Sequence, residues 1–115
     1  MSGETLIRGD IVTVAGGTSE FGAKPRPAII LQAALFGVAL PLPICPVTSV
    51  ETMAASLFRV PLPADAGTGL ALPSWAAIDL VQTVRQRRIG GRIGRVGAAV
   101  MLAIDRALMV FLGLA

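Results

Sequence analysis

From Pro27 to Val50 the chain carries no charged residue, yet Pro27, Pro41, Pro43 and Pro46 punctuate that stretch. An uncharged run of this length is about long enough to cross a bilayer as a helix. Prolines at these intervals would break such a helix repeatedly, because each removes a backbone donor and clashes with the preceding turn. The stretch is therefore expected to form short buried strands, and no membrane association is expected. The same reasoning answers the high mean hydropathy of +0.75 and the apolar fraction of 54%. A chain of 115 residues can bury a real core as one domain, expected to span 1–115. Met1 to Asp10 has no basic segment followed by an apolar one, so no secretory signal is read and a cytoplasmic location is expected. A single cysteine, Cys45, lies in an apolar run and is expected to be a buried thiol.

Along the chain, Leu6 to Val14 reads as a first strand and Ala15-Gly16-Gly17-Thr18-Ser19 as a loop. Ala28 to Leu35 and Pro43 to Ser49 are apolar runs of strand length and read as a pair. Ser56 to Val60 offers another strand, ended by Pro61-Leu62-Pro63, with a short one at Leu70 to Pro73 and a longer one from Trp75 to Val84. Gly90-Gly91-Arg92-Ile93-Gly94 reads as a turn, since it lacks the lysine and hydroxyl residue of a phosphate-binding loop. Short strands with frequent turns predict a small barrel. From Val96 onward the period changes: Met101, Ile104, Leu108 and Phe111 recur at helical spacing with Asp105 and Arg106 off the stripe, and Gly113 is a natural stop. The fold class is mainly β with a closing C-terminal helix.

Two basic features stand out. Arg26 sits between Pro25 and Pro27 at the mouth of an apolar strand, so its backbone is held extended and its guanidinium is displayed at the rim of the core. Arg85, Arg87, Arg88, Arg92 and Arg95 crowd together with no acid among them, an electropositive patch that suits a polyanionic partner. The chain has no histidine, and no cluster of metal-ligating residues has the usual spacing, so neither a catalytic zinc nor a histidine-based triad is expected and no cofactor is implied. Trp75 could stack on a base, but at the head of an apolar strand it reads first as a core or dimer contact.

Arg8-Gly9-Asp10-Ile11-Val12, Lys24 to Gln32, Cys45-Pro46-Val47-Thr48-Ser49 and Ala107 to Leu114, taken in that order, resemble the MazF/PemK toxin family over nearly the whole chain. The resemblance implies a compact SH3-like barrel acting as a homodimer that cleaves single-stranded RNA at short motifs. It also implies a cognate, MazE-like antitoxin with an acidic tail. By position, Arg26 matches the family's catalytic arginine and Thr48 its catalytic threonine. Lys24 with Gly16 and Gly17 falls on the loop that covers the RNA channel, and Ser49, Arg85, Arg87 and Arg88 fall on RNA-contacting segments. Asp79 to Ile89 departs from the family pattern: Thr83 and Arg88 fit, but Leu80 replaces the usual Gln, Gln82 the usual Arg, and Arg85 reverses the charge of the usual Asp. Those departures keep two alternatives open. One is a member of the same fold that binds a protein target such as gyrase; the other is a degenerate member that binds antitoxin or RNA without cutting.

The chemistry is constrained by what is missing. RNA cleavage without histidine needs another source of charge stabilisation, and an arginine fork on the phosphate can supply about 3 to 4 kcal/mol. Arg26 is assigned that role. Thr48 at an ordinary pKa is a poor base, so its hydroxyl is assigned to positioning. Attack by the ribose 2′-oxygen would leave a 2′,3′-cyclic phosphate and a 5′-hydroxyl, and DNA would be refused for lack of that nucleophile.

Overall fold

The structure is a computed structural model that describes residues 5–16, 24–33, 41–50 and 57–115. Among the described residues seven strands are formed: β1 Asp10–Val14, β2 Arg26–Ile30, β3 Leu42–Thr48, β4 Arg59–Leu62, β5 Ser74–Ala77, β6 Gln82–Val84 and β7 Ile89–Arg95. One helix, α1, covers Ala98–Phe111. All strand pairs are antiparallel, in the order β4-β5-β3-β2-β1-β7, with β6 also on β3. β5 and β6 lie along the same side of β3, from Trp75 beside Thr48 to Val84 beside Leu42. The sheet curls in barrel fashion, but among the described residues no pairing joins β4 to β7, so the barrel stays open.

The apolar runs are continuous rather than alternating because both faces of the central strands are buried. Ile11, Ile29, Cys45 and Val47 point to one side, where Ile104 of α1 and Ile78 complete a core. Val12, Val14, Ala28, Ile30, Leu42 and Ile44 point to the other, closed by Val84 of β6 with Leu6 and Ile89. Cys45 is fully buried as expected. Burial, seconded by the nearby Asp79 carboxylate, pushes its thiol up to about 12.

Helix α1 matches the apolar stripe read from the sequence. Ile104 is fully buried, with Met101, Ala107 and Leu108 packed beside it. Phe111 meets Phe58 edge-on at 5.0 Å. Asp105, off the stripe, pairs with both terminal nitrogens of Arg8, whose Nε donates to the Leu31 carbonyl at 3.0 Å. That anchor ties α1 to the start of the sheet. The helix ends at Gly113, with φ of +76°. There Leu114 N–H donates to the Met109 carbonyl at 2.7 Å and Gly113 N–H to Val110 at 3.1 Å, the paired bonds of a Schellman cap.

Several boundaries differ from the sequence reading. β1 begins only at Asp10, because Arg8-Gly9 forms a turn. β2 starts earlier, at Arg26, while Phe36 and neighbours 34–40 lie outside the described residues. β4 runs through Pro61, which stands exposed in a strand that, among the described residues, pairs only with β5. No strand forms at Leu70 to Pro73. The run from Trp75 to Val84 is split by a 3-10 turn at Ile78–Leu80, which lets one segment follow the curvature of β3. Gly90 to Gly94, read as a turn, is the body of β7. Glycine is required at position 94 because the backbone of Thr68 lies where a side chain would begin.

Candidate functional site

Arg26 opens β2 and pairs with Val14 of β1. β3 closes with Thr48. The register Ala28↔Pro46, Ile29↔Cys45, Ile30↔Ile44, continued two residues, sets Arg26 opposite Thr48. On its other side Thr48 pairs with Trp75 of β5, which in turn pairs with Pro61 of β4. The alternation of the strands puts this whole row on the face that holds Val14, Ala28 and Ile44, away from α1. Two side chains far apart in sequence are thus brought to neighbouring strands at one end of the curled sheet.

The two differ in how they are held. Arg26 is exposed, and no described carboxylate pairs with it. By contrast Arg8 is paired with Asp105, Arg59 with Asp79, and Arg92 and Arg95 with Asp10. Thr48 is half-buried, and its Oγ accepts from the Val50 N–H at 3.1 Å. That local turn occupies an acceptor position and leaves the hydroxyl hydrogen to donate outward. A guanidinium and an O–H donor carried by neighbouring strands on one face of the sheet suit a tetrahedral oxyanion. Ser49, next in sequence, is exposed. Lys24 is exposed just ahead of β2; Gly17 lies outside the described residues. Among the described residues no three Asp, Glu, Cys or His side chains converge on a common point, and no helix is long and apolar enough to cross a membrane.

The basic patch divides in two. Arg95 donates from Nε to Asp10 Oδ1 at 2.9 Å, and Arg92 Nη1 lies 3.7 Å from the same atom. These two arginines clamp a fully buried acid and do not belong to an unopposed cationic surface, which corrects the sequence view of the patch. The acid lies distant in sequence, so nothing in the local spacing signals the clamp. Arg85, Arg87 and Arg88 instead line an open groove of about 490 Å³ with Gly16, Pro41, Thr83 and Val84. Arg88 also reaches the Ala15 carbonyl from Nε and Nη2, at 3.2 and 2.8 Å, and so fixes the chain that follows β1. Arg26 and Thr48 do not line this groove.

Of the two placements expected of Trp75, a core or a dimer contact, the first is not the one found. Trp75 belongs to neither apolar cluster and stands half-buried beside Thr48. The sequence signal, an aromatic at the head of an apolar strand, does not separate the two placements.

Residues 7–112 match the model of the PemK-like, MazF-like toxins of type II toxin–antitoxin systems. The chain is 39% identical over 110 residues to a protein of Mycolicibacterium smegmatis named as a probable endoribonuclease MazF, covering 96% of this chain and 99% of that one. Among solved structures, a MazE–MazF complex from Deinococcus radiodurans is similar, with a TM-score of 0.78 and 26% identity over 97% of this chain and 100% of the other. The Mycobacterium tuberculosis toxin MazF-mt6 gives a TM-score of 0.73 and 25% identity over 91% and 98%.

Proposed function

The chain belongs to the PemK-like, MazF-like family of type II toxins, and from that premise we propose that it is an endoribonuclease that cuts single-stranded RNA at a short motif and arrests growth. The observation that supports the reading is the strand register, which, continued two residues, carries Arg26 opposite Thr48: an arginine that no described carboxylate pairs with, beside a hydroxyl that already accepts one backbone N–H.

The scissile phosphate is held by Arg26 in a bidentate grip, which stabilises the charge that builds on the phosphorane. Thr48 donates to a second phosphate oxygen and orients the group for in-line attack. The 2′-oxygen loses its proton to solvent and bonds to phosphorus. The bond from phosphorus to the 5′-oxygen breaks, and that oxygen gains a proton from solvent. The products are a 2′,3′-cyclic phosphate and a 5′-hydroxyl, with no metal taking part.

Lys24 stands just ahead of the strand that Arg26 opens, Gly16 lines the groove of Arg85 and Arg87, and Ser49 follows Thr48 in the chain. Arg85 and Arg87 in their groove bind further phosphates along the strand. The same groove suits the acidic segment of a cognate antitoxin, which would inhibit by occupying it, and the active form is a homodimer. The MazE–MazF complex among the similar structures supports the antitoxin partner. The test is chemical. An RNA with one 2′-deoxyribose at the cut position should resist cleavage while its all-ribose counterpart is cut in EDTA to a cyclic phosphate. Cleavage of the deoxy substrate, or a 3′-hydroxyl product, would rule this mechanism out.

A further inference from the structure

β5 presents an aromatic ring that neither core uses. Trp75 is the chain's one tryptophan, half-buried. Its neighbours Ser74 and Ala76 are both buried, Ala76 within the helix-side core, so the indole stands on the opposite face, the one that carries Thr48. Phe58 and Phe111 are taken up by each other at the end of α1. The indole N–H is neither bonded to a described residue nor buried without a partner, so it opens to solvent. Two strand spacings, about 10 Å, separate the β2 and β5 backbones at this row. That is within the reach of one nucleotide from its phosphate to its base.

From this juxtaposition we propose that Trp75 is a stacking platform for the nucleobase adjoining the phosphate held by Arg26 and Thr48. The inference rests on the RNA-cleavage reading above and adds to it a residue that seats the strand. Stacking recognises the π-face of a base and so tolerates its identity. Trp75 is therefore a positioning residue that sets which phosphate reaches Arg26, and it takes no part in proton transfer.

The lone tryptophan makes the test direct. The probe is a single-stranded oligoribonucleotide with 2′-deoxyribose at the cut position, labelled with fluorescein. It is titrated into the unmodified protein while tryptophan emission and label anisotropy are followed together. Saturable quenching with the same midpoint as the anisotropy is expected. Trp75→Ala should weaken binding roughly 5- to 150-fold, the span for loss of one base stacked on one aromatic ring. Trp75→Phe should restore most of it. With cleavable RNA the Ala variant should raise KM while kcat at saturation stays within about threefold. Anisotropy that saturates with unchanged emission would overturn the stacking role and leave the ribonuclease reading standing. No binding in either channel would overturn both. A Trp75→Ala variant that loses affinity together with its oligomeric state, unrestored by Phe, would assign the ring to contact with a second copy and overturn the proposal.

Discussion

Removing the Asp10 carboxylate should unfasten the point where the first strand, the last strand and the helix meet. Asp10 has no exposed surface. Its Oδ1 takes Nε and Nη2 of Arg95, both at 2.9 Å, and its Oδ2 takes the Ile7 N–H at 2.8 Å. The two residues are also backbone partners across β1 and β7, and Arg95 stands three residues before Ala98, where α1 begins. A charge-assisted bond is worth about 1.5–3 kcal/mol and an ordinary one about 1. The Arg95 side chain is 49% exposed, which argues for the lower half of that range. Asp10→Ala should therefore cost about 3 kcal/mol. Asp10→Asn keeps the volume but turns one donor toward another and should cost about 2 kcal/mol. Against a total of about 6 to 17 kcal/mol for a chain of this length, either is a large fraction. Urea unfolding followed by far-ultraviolet circular dichroism is the assay. With a slope near 1.5 kcal/mol per molar, the Ala variant should lower the midpoint by about 2 M. A loss under about 1 kcal/mol would refute the argument, because it would mean that the buried acid is no tighter than a surface ion pair.

Other consequences follow from the same geometry. Gly94→Ala drives a side chain into the Thr68 backbone and should cost about 3 kcal/mol or more, whereas Gly91→Ala, with nothing nearby, should leave the thermal midpoint within a few degrees. Cys45 should resist thiol reagents at pH 8 until the chain unfolds. Its folded pKa of about 12 lies above the ordinary 9.0, so the folded chain keeps a proton that the unfolded chain releases. Stability should be unaffected by this group below pH 9 and should fall as pH rises from there toward 12, as urea midpoints would register. Charge reversal of Arg85 and Arg87 to Glu should weaken RNA binding uniformly across sequences and lower the salt slope by about 1.4; an unchanged slope would remove the groove from the RNA path.

The sequence carried the features that depend on local pattern. Met101, Ile104 and Leu108 disclosed the helix because helical period is read within a few residues, and Gly113 its end because only a left-handed residue closes that cap. Arg26 was visible as a candidate because the prolines beside it mark it, whereas Thr48 at the close of an apolar run reads as an ordinary strand residue and became a candidate only through the family resemblance. Their facing arrangement was not visible, because it depends on the register between β2 and β3. The split of the basic patch was hidden for the same reason: Asp10 and Arg95 meet only once β1 and β7 pair. Gly90 to Gly94 misled because glycine-rich stretches signal turns more often than strands. Here Gly90 and Gly94 serve close approach by Thr13 and by the Thr68 backbone. Trp75 was ambiguous by nature, since a ring that covers a core and one that borders an open site share the same local sequence.

The most direct test of the central claim is to map the 5′ ends generated in a long single-stranded RNA by the purified, antitoxin-free protein in EDTA, beside Arg26→Ala and Thr48→Val. The account predicts discrete cuts at one short motif, lost by about 10² to 10³ in rate with Arg26→Ala and reduced with Thr48→Val at the same motif. Cuts of undiminished rate in the folded Arg26→Ala protein, or no cuts by the folded parent, would contradict it.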